Sequence, residues 1–211
     1  MKTALRVVWY LKGAPGKCLF FSPNIDFRLR ACYDSDWASY PFTRRSTTGY
    51  CVFLRPSLIS WKSKWQKIFS LSLTWVEYCA MTWACCEFAW LQYLLRDFKL
   101  LYQEPTLLYC DNKAALHIAT NPVFDKRTRY IEMDCYYIID KVQDGFVTTR
   151  HVNSEHQLTD ILTKPLEKEM LILMIHKWGV QDIHSPTWGG VRNFTISTLE
   201  IDNLYIFIFL L

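Results

Sequence analysis

Four acidic side chains stand at positions in the sequence where they could do chemistry together. Asp34 ends a predicted strand, and Asp111 directly follows an apolar strand predicted over 106–110. Glu77 lies in the first turn of a long predicted helix, and Asp160 lies inside a shorter one. Ligands of open α/β sheets gather at the carboxyl ends of the strands, so these acids could converge at one edge.

A cluster of four carboxylates favours a divalent metal ion. Mg²⁺ prefers oxygen ligands in octahedral geometry and retains several of its waters. Two such ions about 4 Å apart can activate an attacking water and stabilise the leaving oxygen of a phosphodiester. The ions would also offset the repulsion by which neighbouring acids raise one another's pKa. Each acid taken alone also fits a turn or helix-cap residue, and the spacing by itself leaves that alternative open.

The elements that must position these acids predict a mixed-sheet α/β domain from about 29 to 166. Runs of β-branched and aromatic residues between turn residues predict strands, and apolar residues at helical spacing predict helices. One segment without Gly or Pro, 74–100, predicts a single long helix with Thr74 near its N-cap. No element is predicted for 181–211. The other predicted helices are 112–120, 130–142 and 154–163, and the predicted strands are 18–21, 29–34, 49–54, 58–61, 67–73, 106–110 and 146–152.

The composition is that of an ordinary globular protein. Of the 211 residues 51% are hydrophobic and 21% charged, and the net charge of +4 permits contact with a polyanion. The eight cysteines show neither a CxxC pair nor a Cys/His finger spacing. The N-terminus lacks an apolar signal segment, and the longest apolar run, 204–211, is far shorter than the ~20 residues that span a bilayer. We therefore expect an intracellular protein, cytoplasmic or nuclear, that is not secreted, has no membrane anchor and keeps its cysteines reduced.

The sequence around the four acids resembles that of the ribonuclease H domain at the end of copia-type retrotransposon polyproteins. The similar segments occur in the order of that family and extend from about residue 4 to 194, so chance agreement is negligible. They are LKGAPG at 11–16, CYDSDWA at 32–38, TRRSTTGY at 43–50, ISWKSK at 59–64, VEY at 76–78, YCDN at 109–112, NPVF at 121–124, RYIEMD at 129–134, HV at 151–152, QLTDILTKPL at 157–166 and DIHSPT at 182–187.

The resemblance implies a ribonuclease H-like fold, with a mixed five-stranded sheet flanked by helices. It implies that Asp34, Glu77, Asp111 and Asp160 are the catalytic acids and hold two Mg²⁺ ions, with Mn²⁺ as an alternative and no small-molecule cofactor. His151 could correspond to the family's proton-handling histidine, or it could be a structural histidine at a strand end. The implied activity is cleavage of the RNA strand of an RNA–DNA hybrid, with an upstream reverse transcriptase domain as a partner.

Hybrid recognition depends on helix shape and the 2′-hydroxyl rather than on base sequence, so contacts should go to phosphates and sugars. Arg44 and Arg45, with Ser46, Thr47 and Thr48, form a candidate phosphate-contacting patch whose alternative is a solvated turn. Asn112 could hydrogen-bond a sugar or cap the following helix, and the cap is the interpretation we favour.

Several positions depart from the family wording. Trp75 stands where the family has an acid, Lys67 where it usually has a proline, Trp65 where it has a lysine and Ser39 where it has a glycine. Trp83 adds a large side chain inside the long helix, and overpacking a core commonly costs ~1–3 kcal/mol. These departures keep a second hypothesis open, a truncated and inactive retrotransposon remnant that at most binds nucleic acid.

The family's organisation implies three segments. Residues 1–28 are expected to be the remnant of a connection that follows a reverse transcriptase. Residues 29–166 are expected to be the ribonuclease H-like domain, and 167–211 a C-terminal extension with a poorly ordered end. A third hypothesis, an integrase-type nuclease on a related fold, is disfavoured because Glu77 precedes Asp111 in the sequence.

Overall fold

The computed structural model describes residues 12, 16–22, 28–40, 42–54, 56–66, 72–100, 104–120 and 132–182. Its helices are α1 (Leu73–Asp97), α2 (Lys113–Thr120), α3 (Glu132–Gln143), α4 (Asp160–Thr163) and α5 (Lys168–Lys177), and a 3-10 turn spans Ser154–His156. Its strands are β1 (Lys17–Leu19), β2 (Leu29–Asp36), β3 (Thr47–Leu54), β4 (Ser57–Trp65), β5 (Thr106–Cys110), β6 (Val147–His151) and β7 (Val180–Asp182).

Five of these strands form one mixed sheet in the order β4-β3-β2-β5-β6. The β4-β3-β2 half is antiparallel, whereas β2, β5 and β6 run parallel to one another. The expected five-stranded mixed α/β sheet is therefore confirmed. Because β2 and β5 are parallel neighbours, Asp34 near the end of β2 and Asp111 just after β5 lie at the same edge of the sheet.

Helices cover both faces of this sheet. Side chains alternate across each strand, so Leu29, Ala31 and Tyr33 of β2 pack against α1, α2 and α3 on one face. Cys32 faces the other side, where α4 and α5 pack, and Asp34 follows it two residues later. The core on that second face contains Cys51, Phe53, Leu58, Leu158, Ile161, Leu162, Leu171, Met174, Ile175 and Trp178.

The long helix begins earlier than the sequence predicts. Its N-cap is Ser72, whose hydroxyl accepts a hydrogen bond from the backbone N–H of Trp75 at 3.3 Å, so Thr74 lies within the first turn. The strand expected over 67–73 is wrong at its end, because Leu73 is helical, and 67–71 lie outside the described residues. The helix ends at Asp97 rather than at residue 100.

The extra tryptophans lie at the margins of the core rather than inside it. Trp83 is only partly buried, and the ammonium of Lys64 lies 5.5 Å from the centroid of its ring. Trp75 is also only partly buried, and it packs against the same core as Trp83. Trp65 is 47% exposed and its ring lies against that of Tyr40, 4.8 Å between centroids. Trp83 still packs against the core, so the expected overpacking stays a prediction.

The helix predicted over 154–163 is broken into two pieces. After the 3-10 turn the backbone of Gln157 is extended, and α4 begins only at Asp160. The side-chain amide of Gln157, which is buried, donates to the backbone carbonyl of Tyr33 at 2.9 Å. Burying this amide without a partner would be unfavourable, so its bond to β2 fixes an extended connection. Asp160 is thus the first residue of a short helix and not an interior one.

Two elements beyond residue 166 have no counterpart in the sequence-based prediction. Helix α5 supplies Leu171, Met174 and Ile175 to the second core, and β7 pairs antiparallel with β1. The strand expected over 18–21 is observed as β1, one residue earlier at its start. The expected boundaries at 28 and 166 stay predictions, and 183–211 lie outside the described residues.

Two expectations from composition can be compared with the described part of the chain. The cysteines whose side chains the structure describes are all free thiols. Among the described helices, none has the length and apolar character that crossing a membrane requires.

A single glycine lets α4 approach the sheet. Gly49 of β3 lies opposite Asp34 in the antiparallel register of β2 and β3. A Cβ atom added at Gly49 would lie 2.8 Å from Leu162 Cβ, 2.8 Å from Thr163 Cγ2 and 3.2 Å from Thr159 Cγ2. Real Cβ atoms essentially never show the two shorter distances, so a side chain here would force α4 or β3 to shift.

Substitution Gly49→Ala should therefore destabilise the fold by about 1–3 kcal/mol, the usual cost of overpacking. Chemical denaturation measures this as a lower midpoint at an unchanged slope. Gly145→Asn is the control, because Gly145 has φ +69°, which Asn tolerates, and nothing lies within 4 Å of an added Cβ. Equal stability of Gly49→Ala and the wild type would show that α4 does not pack as described.

Candidate active site

Asp34 is the most enclosed of the four predicted acids, with 2% of its surface exposed. Its Oδ2 accepts a hydrogen bond from the hydroxyl of Thr163, and its Oδ1 lies 3.2 Å from the Nζ of Lys164. Both partners come from the end of α4, so the close approach at Gly49 determines what surrounds Asp34.

Asp160 shares the same cation. Its Oδ1 accepts from Lys164 Nζ at 2.8 Å, a contact between residues one helical turn apart. Lys164 therefore bridges Asp34 and Asp160, with 34% of its side chain exposed. Burial by itself lowers the pKa of Lys164, but Asp34 and Asp160 raise it above its ordinary value, so the ammonium stays charged.

Glu77 and Asp111 approach from the other elements. Glu77 is the fifth residue of α1, so its predicted place in the first turn is wrong because the helix begins at Leu73. It is 4% exposed, and its Oε2 is buried without a hydrogen-bond partner among the described residues. Asp111 is half-buried at the end of β5, where its Oδ2 accepts from the hydroxyl of Ser154 at 2.9 Å. Two helices and two strands thus deliver one acid each, as the sequence predicts.

The acids lie near enough for their charges to affect one another's pKa. Burial, together with the charges of Asp34 and Asp111, raises the pKa of Glu77 to about 8. Burial and the same two charges raise the pKa of Asp160 to about 6, against the opposing effect of Lys164. Burial also raises the pKa of Asp34, although Lys164 and Thr163 lower it. The single positive charge of Lys164 does not offset the combined negative charge of these buried acids.

The set of donors fits a hard cation. It consists of carboxylate oxygens, the ligands that Mg²⁺ and Mn²⁺ prefer, and the unpartnered Oε2 of Glu77 has an unused lone pair in a place closed to bulk water. Within the described residues, no three His, Cys, Asp or Glu side chains already stand in a metal-ligating arrangement. The Lys164 ammonium and the Thr163 hydroxyl instead occupy the oxygens of Asp34.

His151 lies at the carboxyl end of β6, beside Cys110 in the parallel register, and is exposed. Its strand neighbour Cys110 directly precedes Asp111, so the histidine belongs to the same sheet edge as the acids. In the described part of the chain its imidazole makes no hydrogen bond to any of the four acids. The choice between proton handling and a structural role stays open.

The predicted phosphate-contacting patch is divided by the structure. Arg44 and Arg45 are exposed, and Arg44 adopts a left-handed φ of 51°. Ser46 and Thr47 are 2% and 4% exposed, and their hydroxyls serve the turn: Ser46 accepts from the backbone of residue 38 and Thr47 pairs with Ser39. Only the two arginines are therefore placed to meet a ligand directly.

Asn112 caps α2. Its Oδ1 accepts from the backbone N–H groups of Ala114 at 3.0 Å and Ala115 at 3.1 Å. This is the cap interpretation favoured on sequence. The side-chain oxygen of Asn112 is therefore used by the helix.

The sequence-based site omitted residues that hold the acids in place. Gly49, Gln157, Thr163 and Lys164 all lie within the family-like segments but carried no predicted role. The spacing of Asp160 and Lys164 is the one pattern that could have revealed a partner, because acid and base four residues apart on a helix form ion pairs. The other three act across the sheet, over sequence separations that no local pattern reports.

Comparison with solved structures assigns the fold. LC11-RNase H1, isolated from compost by a metagenomic approach, superposes with a TM-score of 0.51 at 13% identity, covering 65% of this chain and 94% of that chain. No family profile matches the chain. The sheet order, the two helical layers and this superposition define a ribonuclease H-like domain, as the resemblance implies.

Sequence relatives then give the family. The retrovirus-related Pol polyprotein from transposon RE2 of Arabidopsis thaliana is 37% identical over 186 residues, 88% of this chain and 13% of that protein. The corresponding polyprotein from transposon TNT 1-94 of Nicotiana tabacum is 33% identical, over 75% of this chain and 12% of that protein. The chain belongs to the retrovirus-related Pol polyproteins of copia-type transposons and spans only a small part of their length.

The raised pKa of Glu77 predicts how stability depends on pH without metal. Between about pH 4.5 and about 8 the folded chain holds a proton on Glu77 that the unfolded chain releases. The contribution of Glu77 to stability is therefore fully present below this window and is lost as pH rises through it, by up to roughly 1 kcal/mol per pH unit. Denaturation midpoints in chelator from pH 5 to 8 measure the slope.

Glu77→Gln removes this titration, so its stability should fall less steeply over the same pH range. Asp144→Asn, an exposed position after α3, is the control and should retain the wild-type slope. Identical slopes for the wild type and Glu77→Gln would contradict the assigned burial of Glu77.

Proposed function

We propose that this chain is a divalent-metal-dependent endonuclease that cleaves the RNA strand of RNA–DNA hybrids. The proposal is carried by the placement of Asp34, Glu77, Asp111 and Asp160, which come from two strands and two helices and lie near enough for Asp34 and Asp111 to raise the pKa of Glu77 and Asp160. The ribonuclease H-like fold and the Pol polyprotein relatives support a nuclease-type function.

In this proposal the four acids hold two Mg²⁺ ions, or Mn²⁺ in their place. When bound, such ions supply an activated water and neutralise the charge that develops on the leaving oxygen. The residues themselves supply a rigid, largely water-free set of oxygens: Asp34 and Glu77 are almost fully enclosed, whereas Asp111 is more open. We place Asp111 on the substrate side for that reason.

His151 is proposed to carry the proton of the reaction. It is exposed at the end of β6, adjacent to the strand that delivers Asp111, and an imidazole can accept and release protons near neutral pH. The exposure leaves the ring free to meet a nucleic acid bound over the sheet edge.

Arg44 and Arg45 are proposed to contact the phosphates of the hybrid. Both are exposed on the turn that precedes β3, the strand whose Gly49 lies opposite Asp34. Contacts of this type position a duplex without reading its bases. We further propose that an upstream reverse transcriptase domain contacts the same hybrid.

Asp111→Asn should reduce cleavage of a labelled RNA–DNA hybrid in Mg²⁺ by at least roughly a hundredfold, the usual effect of removing one electrostatic contributor to a transition state. The substitution keeps the size of the side chain and its position after β5. Asp144→Asn removes the same charge from an exposed position and should leave the rate unchanged.

Cleavage by Asp111→Asn at the wild-type rate, or wild-type cleavage in chelator, would defeat the proposal. A wild-type chain that binds the hybrid, folds cooperatively and cleaves nothing at any Mg²⁺ concentration would instead favour the inactive remnant that at most binds nucleic acid.

Arg44→Gln and Arg45→Gln should each lower the salt dependence of hybrid binding. Removing one arginine–phosphate interaction should reduce the slope of log affinity against log salt by about 1. Arg96→Gln, at the far end of α1 from Glu77, is the charge-matched control and should keep the full slope. Unchanged slopes for both turn variants would mean that this turn is only solvated.

A further inference from the structure

The positive charge of Lys164 lies where the site most needs a cation. Its Nζ is 2.8 Å from Asp160 Oδ1 and 3.2 Å from Asp34 Oδ1, and in the described residues it is the only Lys or Arg ammonium or guanidinium paired with any of the four acids. Lys164 is also the C-cap of α4, where a positive charge favours the helix terminus.

We propose that Lys164 is a tethered counter-ion that fills the acidic site in the absence of metal and is displaced when a divalent cation binds. The inference rests on the proposed metal-dependent function and adds to it a residue that competes with the metal for the same oxygens. Lys164 is thus a positioning residue: it holds Asp34 and Asp160 together before the cation arrives.

The hydrogen bonds of Asp34 place Lys164 where a cation would bind. Its Oδ2 is engaged by the Thr163 hydroxyl and its Oδ1 by the Lys164 ammonium. Each oxygen keeps a second lone pair, but a divalent cation bound there would lie beside the Lys164 ammonium, and the two positive charges would repel each other. The cation therefore displaces the ammonium, which carries a like charge. Displacing the neutral Thr163 hydroxyl instead would leave two positive charges on one carboxylate.

The path out of the site is open for Lys164. One third of its side chain is exposed, and its backbone is extended, with φ −123° and ψ 146°, so the flexible stem starts outside the helix. Rotation about its side-chain bonds would carry the ammonium from the carboxylates toward solvent. The ammonium keeps its charge when it leaves, because solvent then replaces the carboxylates as its surroundings.

The test is direct binding of Mn²⁺, followed by the electron paramagnetic resonance of the free ion, to chelator-treated wild type, Lys164→Met and Lys168→Met. Lys164→Met keeps the length and apolar stem but removes the competitor, so it should bind Mn²⁺ on the order of tenfold tighter, or more, than the wild type. Lys168→Met loses the same charge from an exposed position on α5 and should bind like the wild type.

A second measurement reports on the metal-free state. Thermal unfolding in chelator should show a lower Tm for Lys164→Met than for Lys168→Met, because Asp34 and Asp160 lose their counter-ion. Saturating Mn²⁺ should raise the Tm of Lys164→Met more than that of the wild type, since tighter binding to the folded state stabilises it further.

Each outcome decides the matter. Equal or weaker Mn²⁺ binding by Lys164→Met beside measurable wild-type binding overturns the counter-ion proposal and leaves the proposed function standing. Absence of Mn²⁺ binding by all three proteins overturns the metal-dependent function and this inference with it. A Lys164→Met chain that stays unfolded even in saturating Mn²⁺ also contradicts the proposal, because the cation should replace the missing charge.

Discussion

The repulsion among enclosed carboxylates is the constraint on which the whole site depends. Asp34 and Glu77 are almost fully removed from water, and Asp34 raises the pKa of other members of the cluster. Negative charges held this closely need either protons or cations, because no solvent is available to screen them. A fold that nevertheless gathers four acids at one edge stores unfavourable electrostatic energy that a bound cation would release.

Uncharged contacts in the fold hold these acids close together despite their repulsion. The bare backbone of Gly49 lets α4 settle on the sheet, and the amide of Gln157 fastens the preceding connection to β2. On the opposite face, α1 presents Glu77 from a helix whose neighbours in the core are apolar. The acids are therefore held by helices that pack on both faces of the sheet.

Much of the fold can be read from the sequence, because strands and helices here follow their local patterns. The runs ending at Asp34 and at Cys110 became β2 and β5, and the absence of Gly and Pro after Ser72 produced α1. What failed depended on distant partners. The bond from Gln157 to Tyr33 joins residues 124 positions apart and breaks a helix that the local pattern favours. Lys164 likewise acquires its role only where α4 meets β2.

The pairing of β1 with β7 has an architectural consequence. Lys17 lies beside Asp182 in that register, so the chain enters and leaves this part of the molecule at neighbouring points. A longer chain that contained this domain would therefore join it at two adjacent points.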